Sequence, residues 1–184
     1  MQVTRYDIDG LVLLKPARFG DHRGYFCETY SRRRFLEAVG MDVEFVQDNH
    51  SLSRDAGTLR GLHFQRPPTA QGKLVRVVRG AVLDVAVDLR HGSATFGRHI
   101  AVELTADGGE QFWIPPGFAH AFCALVPDTE FVYKVTDYYS PADDGGIIWN
   151  DPDLGIEWPF PTDRLILSDK DTRLPRLSDL PPLF

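Results

Sequence analysis

His63 stands in Leu59-Arg60-Gly61-Leu62-His63-Phe64-Gln65, where strand alternation places it on one face with Gly61 and Gln65, the glycine leaving space beside the ring. An imidazole titrates near neutral pH, so in a pocket it serves as a general base that a neighbouring carboxylate tunes and orients. In a half-buried strand it is equally a plain hydrogen-bonded residue. Tyr133 alternates with Phe131 and Val135 in Glu130-Phe131-Val132-Tyr133-Lys134-Val135. Such a phenol delivers a proton if the pocket is wet, or needs only a partner for its hydroxyl if it is core. Lys73 opens a strand after Ala70-Gln71-Gly72. Facing outward it is a solvated edge lysine, and facing inward its ammonium stabilises a developing oxyanion.

These side chains need a scaffold, and period-2 patterning dominates the middle of the chain. Lys73–Arg79 and Val82–Leu89 flank Gly80-Ala81, which reads as a hairpin turn. In the second run Leu83, Val85, Val87 and Leu89 form a core face, while Asp84, Ala86 and Asp88 face either solvent or a polar lumen. Further strands are expected over Thr58–Gln65, His99–Leu104, Glu110–Ile114, Ala121–Leu125 and Glu130–Thr136, separated by Gly, Pro, Asp and Ser clusters. That spacing predicts an all-β sandwich or barrel. A short peripheral helix is expected over Arg32–Val39, with Ser31 as N-cap, Phe35, Leu36 and Val39 on one face and Gly40 as the stop. From Pro141 onward an irregular C-terminal segment is expected to wrap the barrel and bring distant polar residues to its mouth.

The 184 residues fit one domain, 1–184, and 43% hydrophobic residues suffice for a core without disulfide or metal staples. A net charge of −6 argues against non-specific nucleic-acid binding, while leaving room for a local basic pocket. Cys27 and Cys123 have no CxxC partner and read as buried thiols of a reducing compartment. Without an N-terminal apolar run or an apolar stretch approaching about 18 residues, a cytoplasmic protein off the membrane is expected.

Pro115-Pro116-Gly117-Phe118-Ala119-His120 matches the Pro-x-Gly-x-x-His signature of the cupin β-barrel, and Gly61–Gln65 resembles a degraded first cupin motif. Gln65 stands where metal-binding cupins place a second histidine, so His63 and His120 alone are too few ligands and no metal is expected. Arg23, Arg60, Lys73 and Lys170 are scattered among aromatics such as Phe19, Tyr138 and Tyr139. If the barrel gathers them, they hold a diphosphate and stack a base on a ring.

Together the motifs resemble the dTDP-4-dehydrorhamnose 3,5-epimerase family. The resemblance runs from Phe19–Phe26 with Glu28, through Phe45–Ser51, Leu59–Gln65, Gln71–Val77, Val85–Arg90 and Ser93–Gly97. It continues through Trp113–Pro115, Gly117–His120, Tyr133-Lys134, Thr136–Tyr139, Trp149–Asp151 and Leu167–Asp171. It implies a cupin jelly roll and a cofactor-free inversion of carbons 3 and 5 of a dTDP-linked 4-keto-6-deoxyhexose through enolates. By resemblance His63 is the base, paired with Asp171; Lys73 lies near the ketone oxygen, and Tyr133 protonates from the opposite face. Substrate binding is implied for Phe19, Arg23, Glu28, Gln47, Asp48, Asn49, Arg60, Lys73, His120, Asp143 and Lys170, with Tyr138 stacking on thymine. Asp143 has Asp144 as the alternative one residue on. The resemblance also implies a homodimer with exchanged N-terminal parts, Arg23 and Glu28 then coming from the partner chain. Ala121 stands where the family commonly has Gly, and its methyl is expected to shift the loop or narrow the pocket. The alternatives are a single-carbon epimerase of a related sugar and a non-catalytic sugar-nucleotide-binding cupin.

Overall fold

A computed structural model describes residues 1–184. The strands are β1 Gln2–Arg5, β2 Val12–Lys15, β3 Arg18–Asp21, β4 Gly24–Cys27, β5 Gln47–Ser53, β6 Leu59–Gln65, β7 Lys73–Arg79, β8 Ala81–Asp88, β9 His99–Thr105, β10 Gln111–Ile114, β11 Phe118–Ala124, β12 Thr129–Val135 and β13 Asp144–Gly146. One helix, α1, spans Arg32–Val39, and short 3-10 turns follow late in the chain, including Asp171–Arg173. Two sheets face each other, β1-β2-β10-β7-β12-β5 and β13-β6-β11-β8-β9, with β3-β4 as a separate hairpin. This is the expected all-β jelly-roll sandwich, and neither sheet closes on itself.

The apolar pattern divides into three layers. Val75, Val77, Val82, Ala86, Phe112, Phe122 and Phe131 fill the space between the sheets. Leu59, Leu62, Val85, Val87, Ala119 and Cys123 pack outward against the C-terminal segment, through Ile147, Trp149 and Leu154. Trp113, Leu74, Val12 and Leu14 pack outward against Phe35 and Val39 of α1. The two faces of β8 are therefore both covered: Asp84 is buried against His120, and Asp88 is buried under the following loop, accepting from Arg90, Ser93 and Thr95.

Gly80-Ala81 is not a hairpin turn. β7 pairs with β10 and β12, whereas β8 pairs with β11 and β9, so the chain changes sheets at Gly80. Gly80 has φ +80°, and a Cβ there would lie 2.4 Å from the Thr129 hydroxyl, so only glycine makes this crossing. The helix begins and ends where expected, and Gly40 closes it in the left-handed region with its N–H on the Leu36 carbonyl. Ser31 makes no side-chain cap, however, and Leu36 is 41% exposed, because the apolar face is only as wide as Phe35 and Val39. Cys123 is buried and its thiol is pushed up to about 11, whereas Cys27 is only half-buried; both are free. No helix is long and apolar enough to cross a membrane.

Candidate active site

β6 departs from simple alternation at the point that matters. Against β11, His63 lies opposite His120, but Arg60 lies opposite Phe122, so three steps on β6 match two on β11. The bulge lets Arg60 and His63 face the same lumen, which regular alternation forbids for residues three apart. Gly61 does not make room for His63: at φ +117° a Cβ would lie 2.5 Å from the His120 carbonyl and 2.7 Å from Ala121 Cβ. The glycine is there because β11 passes against it.

The lumen opens as a cavity of about 510 Å³, within the range of small-ligand sites, lined by Asn49, Arg60, His63, Lys73, His120, Tyr133, Lys170 and Asp171 among others. The C-terminal segment delivers Asp171, whose carboxylate is 2.7 Å from His63 Nε2. Burial raises the Asp171 pKa, but bonds from His63, Ser168 and the Gly61 N–H outweigh that and hold it below the usual carboxylate range. A charged Asp171 accepts a hydrogen bond from Nε2–H and leaves Nδ1 of His63 as the basic nitrogen. Tyr133 projects from β12 of the facing sheet, where burial raises its pKa against the opposing pull of Arg60, so it stays a phenol at neutral pH. Lys73 points inward from the interior strand β7, 9% exposed, with Nζ 3.4 Å from the His63 carbonyl. Burial lowers its pKa to about 8 against the charges of Asp84 and Asp144.

The other expected site residues divide into those gathered at the cavity and those held elsewhere. Gln47 bonds Asn49 at 2.9 Å on β5, beside the cavity, and its carbonyl oxygen accepts from the Tyr139 N–H. Asp48 points to the opposite face of β5 and pairs with Lys134 at 2.9 Å. The carboxylate of Asp143 accepts from Thr69 and Ser140 at 2.8 Å each and fastens its own loop, whereas Asp144 pairs with Lys170. Tyr138 is 64% exposed beyond β12. Phe19, Arg23 and Glu28 lie on or just after the β3-β4 hairpin and do not line the cavity; Arg23 pairs with Asp21, and Glu28 with Arg34 at 3.3 Å. Of the scattered basic residues, the fold therefore gathers Arg60, Lys73 and Lys170 but not Arg23. Ala121 belongs to the outward-packed layer, so its methyl does not narrow the lumen.

Two features escaped sequence reasoning. Asp84 is completely buried and bonds His120 Nε2 at 2.9 and 3.0 Å, making a second imidazole–carboxylate pair. Its signal was a charge on the lumen-facing side of β8, with nothing in the sequence to say which strand it faced. Gln65 ties the return segment to the sheet, donating to the Thr69 and Tyr138 carbonyls and accepting from the Ser140 N–H. No group of three or more His, Cys, Asp or Glu side chains is arranged to hold a metal ion.

A two-sheet jelly roll with a base, a phenol and a buried ammonium around one lumen defines a cupin-type acid–base site, suited to moving a proton beside a carbonyl. The chain belongs to the dTDP-4-dehydrorhamnose 3,5-epimerase family, whose profile matches residues 5–179. It is 52% identical over 171 residues to the dTDP-4-dehydrorhamnose 3,5-epimerase of Shigella flexneri, covering 93% of each chain. Among solved structures it is similar to the 3,5-epimerase of Legionella pneumophila in complex with dTDP-4-keto-L-rhamnose, with TM-score 0.92, 45% identity and coverage of 96% and 93%. It is also similar to a 3'-monoepimerase of Streptomyces bikiniensis in complex with dTDP-quinovose, with TM-score 0.87, 38% identity and coverage of 94% and 86%.

Proposed function

We propose that residues 1–184 act as one dTDP-4-dehydrorhamnose 3,5-epimerase domain. It inverts carbons 3 and 5 of dTDP-4-dehydro-6-deoxy-D-glucose to give dTDP-4-dehydro-L-rhamnose, for dTDP-L-rhamnose biosynthesis. The observation that carries this reading is the His63–Asp171 pair at 2.7 Å, sharing one cavity with Lys73 and Tyr133. Protons beside a ketone are weakly acidic, so the enolate must be stabilised as it forms. In this reading Nδ1 of His63 takes the proton, the Lys73 ammonium meets the charge developing on the ketone oxygen, and the Tyr133 hydroxyl protonates the opposite face. The imidazolium and phenolate left behind are reset by exchange with solvent before the second carbon reacts. Arg60 and Lys170 suit the diphosphate, Asn49 and His120 the sugar, and Tyr138 the thymine ring. The acid–base set needs no cofactor. The same reading makes the protein a cytoplasmic homodimer, with Phe19, Arg23 and Glu28 serving the partner's cavity.

The deciding experiment is proton NMR of dTDP-4-keto-6-deoxyglucose with metal-stripped protein in deuterated water. Deuterium at both carbons, trapped as the rhamnose-configured product by a downstream reductase, supports the double epimerase. Label at one carbon supports a single-carbon epimerase, the second reading, which the similarity to a 3'-monoepimerase favours. Label at neither, with the nucleotide sugar tightly bound, overturns both. Tyr133→Phe should still exchange a substrate proton with solvent while giving little doubly inverted product; equal loss of exchange and inversion would remove Tyr133 from the donor role.

A further inference from the structure

Adjacent strands β6, β11 and β8 carry His63, His120 and Asp84 in sequence across the second sheet. Asp84 is wholly buried and its only ion-pair partner is His120. Burial lowers the His120 pKa in spite of Asp84, and Lys73 and His63 lower it further, so at neutral pH the imidazole donates to Asp84 without cancelling its charge. Lys73 enters the same lumen from β7 of the opposite sheet, and no carboxylate lies within ion-pair distance of its Nζ. A buried anion and a buried ammonium, each without a direct partner of opposite charge, are costly unless each offsets the other.

We propose that Asp84 is a positioning residue for the reaction: its buried charge keeps Lys73 an ammonium inside the lumen, while His120 holds that carboxylate in place. The groups around Lys73 single it out. Asp171 is bonded by His63, and Asp144 is paired with Lys170. Arg60 and Lys170 are like charges that work against the ammonium, and Tyr133 is an uncharged phenol. Asp84 has only His120, an imidazole whose burial disfavours a positive charge, so its own charge is left without a cation at ion-pair distance. Its effect matters most when His63 has taken a proton, because a second positive charge then stands beside Lys73 and favours loss of the Lys73 proton. The role rests on the 4-keto-sugar reading, since it is the enolate oxygen that requires the ammonium.

The sequence holds only four lysines, Lys15, Lys73, Lys134 and Lys170, so the titration of Lys73 can be followed in protein labelled with 15N-lysine, its signal assigned by loss in Lys73→Arg. Asp84→Asn, which keeps an acceptor for His120, should lower the Lys73 titration by about one to three pH units. Asp144→Asn should lower it less. In Asp84→Asn kcat for deuterium incorporation should fall at least about fivefold at pH 8 and recover toward pH 6, with KM changed by less than about threefold. Asp84→Ser takes the place of the asparagine variant if that chain does not fold. An unchanged Lys73 titration in the neutral variant, an equal or larger shift in Asp144→Asn, or a wild-type Lys73 already uncharged at pH 7 would each overturn the proposal. If wild-type protein labels no 4-keto sugar, the epimerase reading fails by itself, and the lysine titration still decides whether Asp84 governs Lys73.

Discussion

In the proposed reaction Asp171 makes His63 a base of fixed tautomer, because the carboxylate accepts the hydrogen bond from Nε2–H and leaves Nδ1 free. Asp171→Asn offers an amide in its place and no longer favours the imidazolium. The fold should persist, with kcat for exchange down by roughly three to four orders of magnitude; turnover within tenfold of wild type would refute the pair. Lys73 gives a second test with a worked sign. Its folded pKa of about 8 lies below the ordinary 10.5, so the native state is penalised for holding the charge below pH 8, and stability from this group rises between about 8 and 10.5. Lys73→Met should therefore raise Tm by a few degrees at pH 7, with the gain shrinking toward pH 10, while turnover is lost. A variant less stable than wild type at pH 7 would contradict the burial argument. Alternation put Tyr133 with Phe131 and Val135 and so showed its face, but pattern alone did not reach Asp171: 108 residues separate it from His63, and only the family resemblance joined them. Asp84 was visible as a charge on a face that alternation left to solvent or lumen, and invisible as a partner because strand register is not written in one strand.

At the scale of elements, the helix and strands β6–β12 were legible because Gly and Pro punctuate runs of clear period, and Arg32–Val39 coincides with the observed helix. Strands β1–β5 and β13 were not expected, being too short or too polar to show a period, and pairing and parity failed as well. The short Gly80-Ala81 connection suits a hairpin and a sheet change alike, and only the facing partners of β7 and β8 distinguish them. The bulge on β6 breaks the alternation that placed His63 beside Gly61, and brings Arg60 round to the same lumen. Gly61→Ala would force a methyl into the His120 carbonyl and into Ala121 in a left-handed backbone. The strand must shift, so denaturant unfolding should show a loss of about 2–4 kcal/mol. Exchange activity should fall by at least about a hundredfold even where the variant is folded, because Arg60 and His63 lose their common face. A folded, fully active Gly61→Ala would show that the bulge is not what orients them.

The whole molecule gives the β3-β4 hairpin no place in either sheet. Phe19, Tyr25 and Phe26 on it are 64%, 62% and 70% exposed, an apolar cost that a lone chain has no reason to bear. Arg23 sits at its turn and Glu28 just beyond it, both away from the cavity that the resemblance would have them serve. Composition and charge were silent here, since an exposed aromatic in a sequence carries no sign of what covers it; the homodimer came from the family. In the homodimer proposed above, a two-fold exchange of hairpins would resolve both observations, each cavity then receiving the partner's arginine. Complementation tests it directly. Arg23→Ala and His63→Asn should each be inactive alone. Mixed, unfolded and refolded together, they should form hybrid dimers in which one cavity has its own His63 and the partner's intact Arg23. Random pairing makes half the dimers hybrid with one working site in two, so activity should return to about a quarter of wild type. If Arg23 serves its own chain instead, every cavity in the mixture is defective and no activity returns.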